Sequence, residues 1–262
     1  MKKHAKRGKS SNYNEDNFDA KNIINEHRSK ENTPPQIKVR TKFLNKKQKE
    51  LYNLLIDKES RIILIKGSAG TGKTMITLMA AIHCIANKEY NITDISMCKP
   101  IIESAKSIGL LPGTVDEKVA LYFTSFYDCL DKLVGKQALT FLKSKGIIKE
   151  TILNYLRGIT LQGKIDADGN SAGAFCILDE CQNARISEVK TYISRISPFS
   201  KQVLIFDTDQ SDLPLPKGEI NGADDAWNRL KDIKGVVQFE FSDDDIVREP
   251  ILIEIMKRYR IK

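Results

Sequence analysis

Residues 67–74 read Gly-Ser-Ala-Gly-Thr-Gly-Lys-Thr, which fits G-x-x-x-x-G-K-[ST], a pattern that cradles phosphates. Glycine at 67, 70 and 72 permits backbone shapes that a side chain forbids. The N–H groups of Gly67, Ser68, Ala69, Gly70, Thr71 and Gly72 can then turn inward on an anion. Lys73 is placed to reach the β- and γ-phosphates, and the Thr74 hydroxyl to bind Mg²⁺. A second reactive stretch is Ala174-Phe-Cys-Ile-Leu-Asp179-Glu180, an apolar run ending in two acids. In that Walker B pattern Asp179 holds Mg²⁺ and Glu180 polarises the attacking water as general base. A third run, Gln202 to Asp207, also ends in an acid and leads to Gln210, whose amide can bond both a γ-phosphate and the water. Upstream, Gln48 has two readings: an amide that pairs with an adenine edge, or an ordinary surface-helix glutamine.

Strands must end where these groups sit. Ile62–Lys66 is short, apolar and β-branched, and predicts a buried strand running into the glycine loop. Met75 to Ala86 contains no Gly or Pro, which predicts the helix that follows. Asn45 is a cap for a helix from Lys46 to Asp57, with Leu51, Leu54 and Leu55 on its core face. Further strands are expected at Ile92–Cys98, Ala174–Leu178, Gln202–Asp207 and Val236–Phe241, five in all. Between the second and third, Lys99 to Gly113 reads as a long structured loop at a strand's carboxyl end. One amphipathic helix is expected over Asp116–Val134, its apolar set being Leu121, Phe123, Phe126, Tyr127 and Leu130, and a shorter one over Gln137–Lys145. Thr151 to Leu161 reads as partly extended, and 162–173 as a surface hairpin. The acids there lack the Gly and Glu that a calcium loop needs, Ser171 and Ile177 standing in their places. Helices are expected over Ser187–Ser197, Ala223–Lys231 and Pro250–Arg258. Trp227 reads as packing. The sum is an α/β domain with a mostly parallel central sheet.

Composition narrows the function classes. The net charge of +8 is confined to residues 1–47, which hold 13 Lys/Arg against five Asp/Glu; the remaining 215 residues hold 29 of each. Residues 1–42 predict a basic, disordered arm, either a nucleic-acid contact or a solubilising tail, and 43–262 the folded domain. No apolar run approaches the ~20 residues that cross a membrane, and the polar N-terminus is not a secretory signal. Five cysteines form no C-x-x-C pair and read as reduced core residues of a cytoplasmic protein. Three scattered histidines argue against a zinc site.

Seven segments in one order resemble the PhoH family of ATPases. They are Gln48, residues 67–74, Lys-Pro-Ile-Ile-Glu with Ile-Gly-Leu-Leu-Pro-Gly in 99–113, Tyr-Leu-Arg-Gly 155–158, Leu-Asp-Glu-Cys-Gln-Asn 178–183, Asp-Thr-Asp-Gln-Ser-Asp-Leu-Pro 207–214 and Ile-Val-Arg-Glu-Pro 246–250. The resemblance covers about residues 43–259. It implies a RecA-like P-loop domain, similar to the first domain of superfamily 1 helicases, that uses ATP and Mg²⁺. It assigns Gln48 to adenine, Gln210 to γ-phosphate sensing and Arg248 as an arginine finger. Three departures stand out: Phe206 where the family usually has Gly, Lys99 where Arg is usual, and the inserted segment 162–173. It does not imply nuclease activity, since the PIN domain of some relatives is lacking. The setting it implies is the cytoplasm of a bacterial or phage-infected cell.

Two functions follow from that resemblance. One is a homo-oligomeric motor on single-stranded RNA or DNA, a hexameric ring favoured, in which Arg248 reaches a neighbouring subunit's site. The other is a module whose grip on nucleic acid is switched by nucleotide without unwinding. A small-molecule kinase is disfavoured because residues 114–150 contain no arginine for a substrate lid.

Overall fold

A computed structural model describes residues 39–40, 42–101, 115–249, 251, 254, 255 and 258. Most of the arm, most of the loop after Lys99 and much of the last expected helix lie outside the described residues. The elements run α1 (Lys46–Ile56), β1 (Ile62–Lys66), α2 (Lys73–Ala86), β2 (Ile92–Lys99), α3 (Val115–Tyr122), α4 (Thr124–Val134), α5 (Lys136–Ser144), β3 (Ile148–Ile152), β4 (Gly173–Leu178), α6 (Ile186–Ile193), β5 (Lys201–Phe206), α7 (Gly222–Arg229) and β6 (Val236–Glu240). The six strands form one sheet in the order β3-β2-β4-β5-β1-β6, every pair parallel.

Parallel strands need crossovers that bury both faces, so their sequences are continuous apolar runs. β4 and β5 are buried at every position. β1 shows how one strand serves two cores: Ile63 and Ile65 point into a cluster with Leu51, Leu55, Met79 and Phe126, and Leu64 into the opposite one with Leu178, Tyr192 and Leu204. α1 to α5 cover the first face, α6 and α7 the second. Each such aliphatic side chain stabilises the fold by about 1.5–3 kcal/mol on burial.

Three expectations need correction. The sheet has six strands, not five. β3, Ile-Lys-Glu-Thr-Ile, lies at the edge, where charged residues interrupt the apolar pattern that marks a buried strand. Its Lys149 ammonium bonds the fully buried Asp94 carboxylate of β2. The helix expected over Asp116–Val134 breaks at Phe123, whose φ and ψ are −97° and 2°. Phe123 is fully buried and stacks on Phe126 at 6.0 Å, so burying this ring outweighs continuing the helix. Leu121, assigned to the apolar face, is instead 62% exposed. Packing also starts before residue 43: Val39 is buried and the Arg40 N–H donates to Leu133 O at 3.0 Å.

Segment 162–173 is the expected hairpin, with Ile165 bridging Ser171 in antiparallel fashion and the Asp166 carboxylate accepting the N–H groups of Asp168 and Asn170. Phe206, at the usual glycine position, is buried edge-on against Trp227, ring centroids 5.8 Å apart.

Candidate functional site

The chemistry collects at the carboxyl ends of the strands. β1 runs into the glycine loop, which opens α2 at Lys73. Gly70 and Gly72 adopt φ of 88° and 89°, the left-handed region that suits glycine. Space forbids a side chain as well: a Cβ on Gly72 would lie 2.7 Å from Gln48 Nε2, and one on Gly70 2.9 Å from Arg248 Cδ. No side chain caps the start of α2. Its first N–H groups and positive dipole end therefore face a cavity of about 520 Å³.

Ala69, Gly70, Gly72, Lys73, Thr74, Asp179, Glu180, Gln210, Gln48 and Arg248 share that cavity. Lys73 is buried, and its ammonium donates to the carbonyls of Gly67 at 2.5 Å and Ser68 at 2.9 Å. Burial lowers its pKa, while Asp207, Asp179 and Glu180 pull it back up. The Thr74 hydroxyl donates to Asp179 Oδ2 at 3.3 Å, although the two residues are 105 apart in the chain. Burial raises the Asp179 pKa and the Glu180 charge adds to the rise, with Lys99 and Lys73 opposing both. A hydroxyl beside a desolvated carboxylate is a hard-oxygen donor set that fits Mg²⁺. Glu180 takes a left-handed φ of 58°, a strained conformation that swings it out of the line of β4.

Other expected residues make contacts within the protein. Gly67, Ser68 and Thr71 do not line this cavity; Gly67 and Ser68 border a neighbouring one of about 370 Å³. The Ser68 hydroxyl donates to Asp243 at 2.6 Å and the Thr71 hydroxyl to Ser68 O at 3.0 Å, so both side chains shape the loop from behind. Gln48 is buried, which removes the surface-helix alternative. Its Nε2 donates to Thr71 O at 2.9 Å and its Oε1 accepts the Leu44 N–H at 2.8 Å. One N–H and one lone pair of that amide are left for a ligand. Arg248 packs on Gly70 of its own loop, and the neighbouring Val247 N–H donates to Gly70 O at 3.0 Å.

The acid strand β4 is not next to β1; β5 lies between them. That inserted strand gives Asp207 a task the sequence reading missed. Its Oδ2 accepts the Ala69 N–H at 3.0 Å and its Oδ1 the Asp209 N–H at 3.2 Å, fastening the loop. Burial raises its pKa and Lys73 opposes the rise. The signal was present, since an apolar strand ending in Asp beside a phosphate loop needs a partner for its charge. Gln182 was also missed: fully buried, it bonds Glu180, Gln210 and Asp207.

The family model described as PhoH-like protein matches residues 38–260. The chain belongs to the PhoH family. Among curated PhoH-like proteins, that of Bacillus subtilis (strain 168) is 34% identical over 77% of this chain and 59% of its own length. That of Mycobacterium bovis is 34% identical over 84% and 58%. The chain thus spans less than two thirds of the length of these curated relatives. Among solved structures, the Pif1 helicase from Candida albicans covers 84% of this chain and 44% of its own at 13% identity and a TM-score of 0.40, a broad likeness only. The PhoH chain is an α/β domain with a parallel six-stranded sheet, and its candidate site lies at the carboxyl ends of the strands. None of its described helices is long and apolar enough to cross a membrane.

Proposed function

We propose that this PhoH protein binds ATP with Mg²⁺, hydrolyses it, and acts on single-stranded RNA or DNA as a helicase- or translocase-type motor. The observation that carries the reading is the meeting of Thr74 and Asp179, 3.3 Å apart, in one cavity with Lys73 and Glu180. Lys73 and the N–H groups at the start of α2 grip the phosphates, and Lys73 shifts its bonds from the loop carbonyls to the β- and γ-oxygens. Thr74 and Asp179 hold Mg²⁺, which neutralises phosphate charge when bound. Glu180 accepts the proton of the attacking water, and Gln210, which lines the same cavity, orients that water. Arg248 sets a second cation on the same phosphates in cis.

Two features support the nucleic-acid part. Tyr155 is 71% exposed with exposed Arg157 close by in sequence, beyond the carboxyl end of β3. An aromatic ring and a guanidinium are the groups on which unpaired bases stack. The excess positive charge of residues 1–47 adds electrostatic attraction.

The test is the ATPase rate with and without single-stranded RNA and DNA, run beside a size measurement and an unwinding assay. Stimulation with unwinding supports the motor, and a hexamer in the same run supports a ring. Nucleotide-dependent binding without unwinding supports the switched-grip alternative. A rate indifferent to both polymers, with no binding to either, removes the nucleic-acid part.

A further inference from the structure

Gln182 follows Glu180 by two residues, is fully buried, and its side chain bonds three other residues of the site. Its Nε2 donates to Glu180 Oε2 at 2.6 Å and, more weakly, to Gln210 O at 3.4 Å. Its Oε1 accepts the Asp207 N–H at 3.1 Å, and its backbone carbonyl accepts the Ser211 hydroxyl at 3.1 Å. Asp207 in turn holds the Ala69 N–H of the phosphate loop. One amide therefore joins the acid beyond β4 to the turn beyond β5, and through that turn to the loop beyond β1.

The chemistry suits only an amide. Glu180 is exposed on a strained backbone, and its carboxylate is free to turn unless something holds it. A hydrogen bond to a carboxylate is short and strong, and 2.6 Å is in that range. The same group must also accept the Asp207 N–H, so neither a pure donor nor a pure acceptor can replace it.

We propose that Gln182 is a positioning residue that ties the aim of the Glu180 carboxylate to the position of the Asp207–Ser211 turn. Hydrolysis then depends on it while nucleotide binding does not. The proposal rests on the reading of Glu180 as general base.

Gln182→Met keeps the shape and removes every polar contact of the side chain. Gln182→Glu keeps an acceptor for Asp207 and sets a negative charge against Glu180. Turnover, ATP and ADP affinity and melting temperature are measured for both, alone and with Glu180→Gln. Misplacing a catalytic group by ~1 Å costs ~10²-fold, so turnover of Gln182→Met should fall by about 10–100-fold with affinity within about threefold. Gln182→Glu should fall at least as far despite retaining the Asp207 bond. Adding Gln182→Met to Glu180→Gln should lower the residual rate no further, because both act through one carboxylate. Near-normal turnover in Gln182→Met beside an inactive Glu180→Gln overturns the proposal alone, as does a loss that multiplies in the double variant. Normal turnover in Glu180→Gln overturns the base assignment beneath it. Should Gln182→Met not fold, Gln182→Glu carries the same comparison.

Discussion

Lys73 and Lys201 are two buried lysines at opposite ends of one sheet, and they are held alike. Lys73 donates to the carbonyls of Gly67 and Ser68; Lys201 donates to those of Asp57 and Ser60, where α1 turns into β1. Burial lowers the pKa of both. What differs is the surroundings. Lys73 faces a cavity of about 520 Å³ shared with Asp179, Glu180 and Asp207. Lys201 is only 3% exposed and lies beside Cys84, Asp57 and Arg61. A desolvated lysine on backbone carbonyls is therefore compatible with either role. Open space makes one of them a candidate phosphate ligand, while the other staples two elements together.

Four substitutions can break or sharpen that contrast. Lys73→Ala should weaken ATP binding by at least ~10²-fold, since a charge-assisted contact to phosphate is lost; Lys201→Met should leave it unchanged, both read by nucleotide titration. Hydrolysis surviving Lys73→Ala would remove the site assignment. Glu180→Gln should keep binding and slow turnover by ~10²–10⁴-fold, the usual worth of a general base, as read in a single-turnover assay. Gln48→Ala should weaken ATP binding about tenfold, or ~1.4 kcal/mol. It should also lower the melting temperature, because Thr71 O and the Leu44 N–H lose their partner. An unchanged preference for ATP over GTP would deny Gln48 an adenine contact.

Lys201→Met should leave turnover alone and act on stability. A stranded buried carbonyl costs about 1–3 kcal/mol, and each kcal/mol lowers the melting temperature by about 2–4 °C in a domain of this size. Its pH dependence has a definite sign. The folded pKa lies below the ordinary 10.5, so the unfolded chain binds more protons and wild-type stability rises with pH between the two values. Melting scans from pH 7 upward should show that rise reduced in Lys201→Met. Identical slopes in the two proteins would mean that Lys201 is not desolvated.

Legibility followed distance along the chain. The phosphate loop, its strand and its helix are contiguous, so residue type and spacing disclose them. The buried strands β2, β4 and β5 were legible because a sheet covered on both faces demands unbroken apolar runs, and the edge strand β6 because Val236, Val237 and Phe239 keep it mostly apolar. β3 was not, since adjacent Lys149 and Glu150 put a charge on each face of this edge strand and erase that signature. The break at Phe123 was hidden for a related reason: helical periodicity continues through it, and only the pocket that receives the ring decides otherwise.

By itself, the sequence determined where a phosphate-loop pattern lies between strand and helix and which apolar strands end in acids, because steric freedom at glycine and apolar periodicity act over a few residues. Only the tertiary structure decided that β5 separates the loop from the acid strand, that Asp207 fastens Ala69, that Arg248 covers its own chain's Gly70 and that Gln182 joins three segments. Those contacts link residues far apart in the chain, and strand order, which fixes them, is set by burying both faces of the sheet at once.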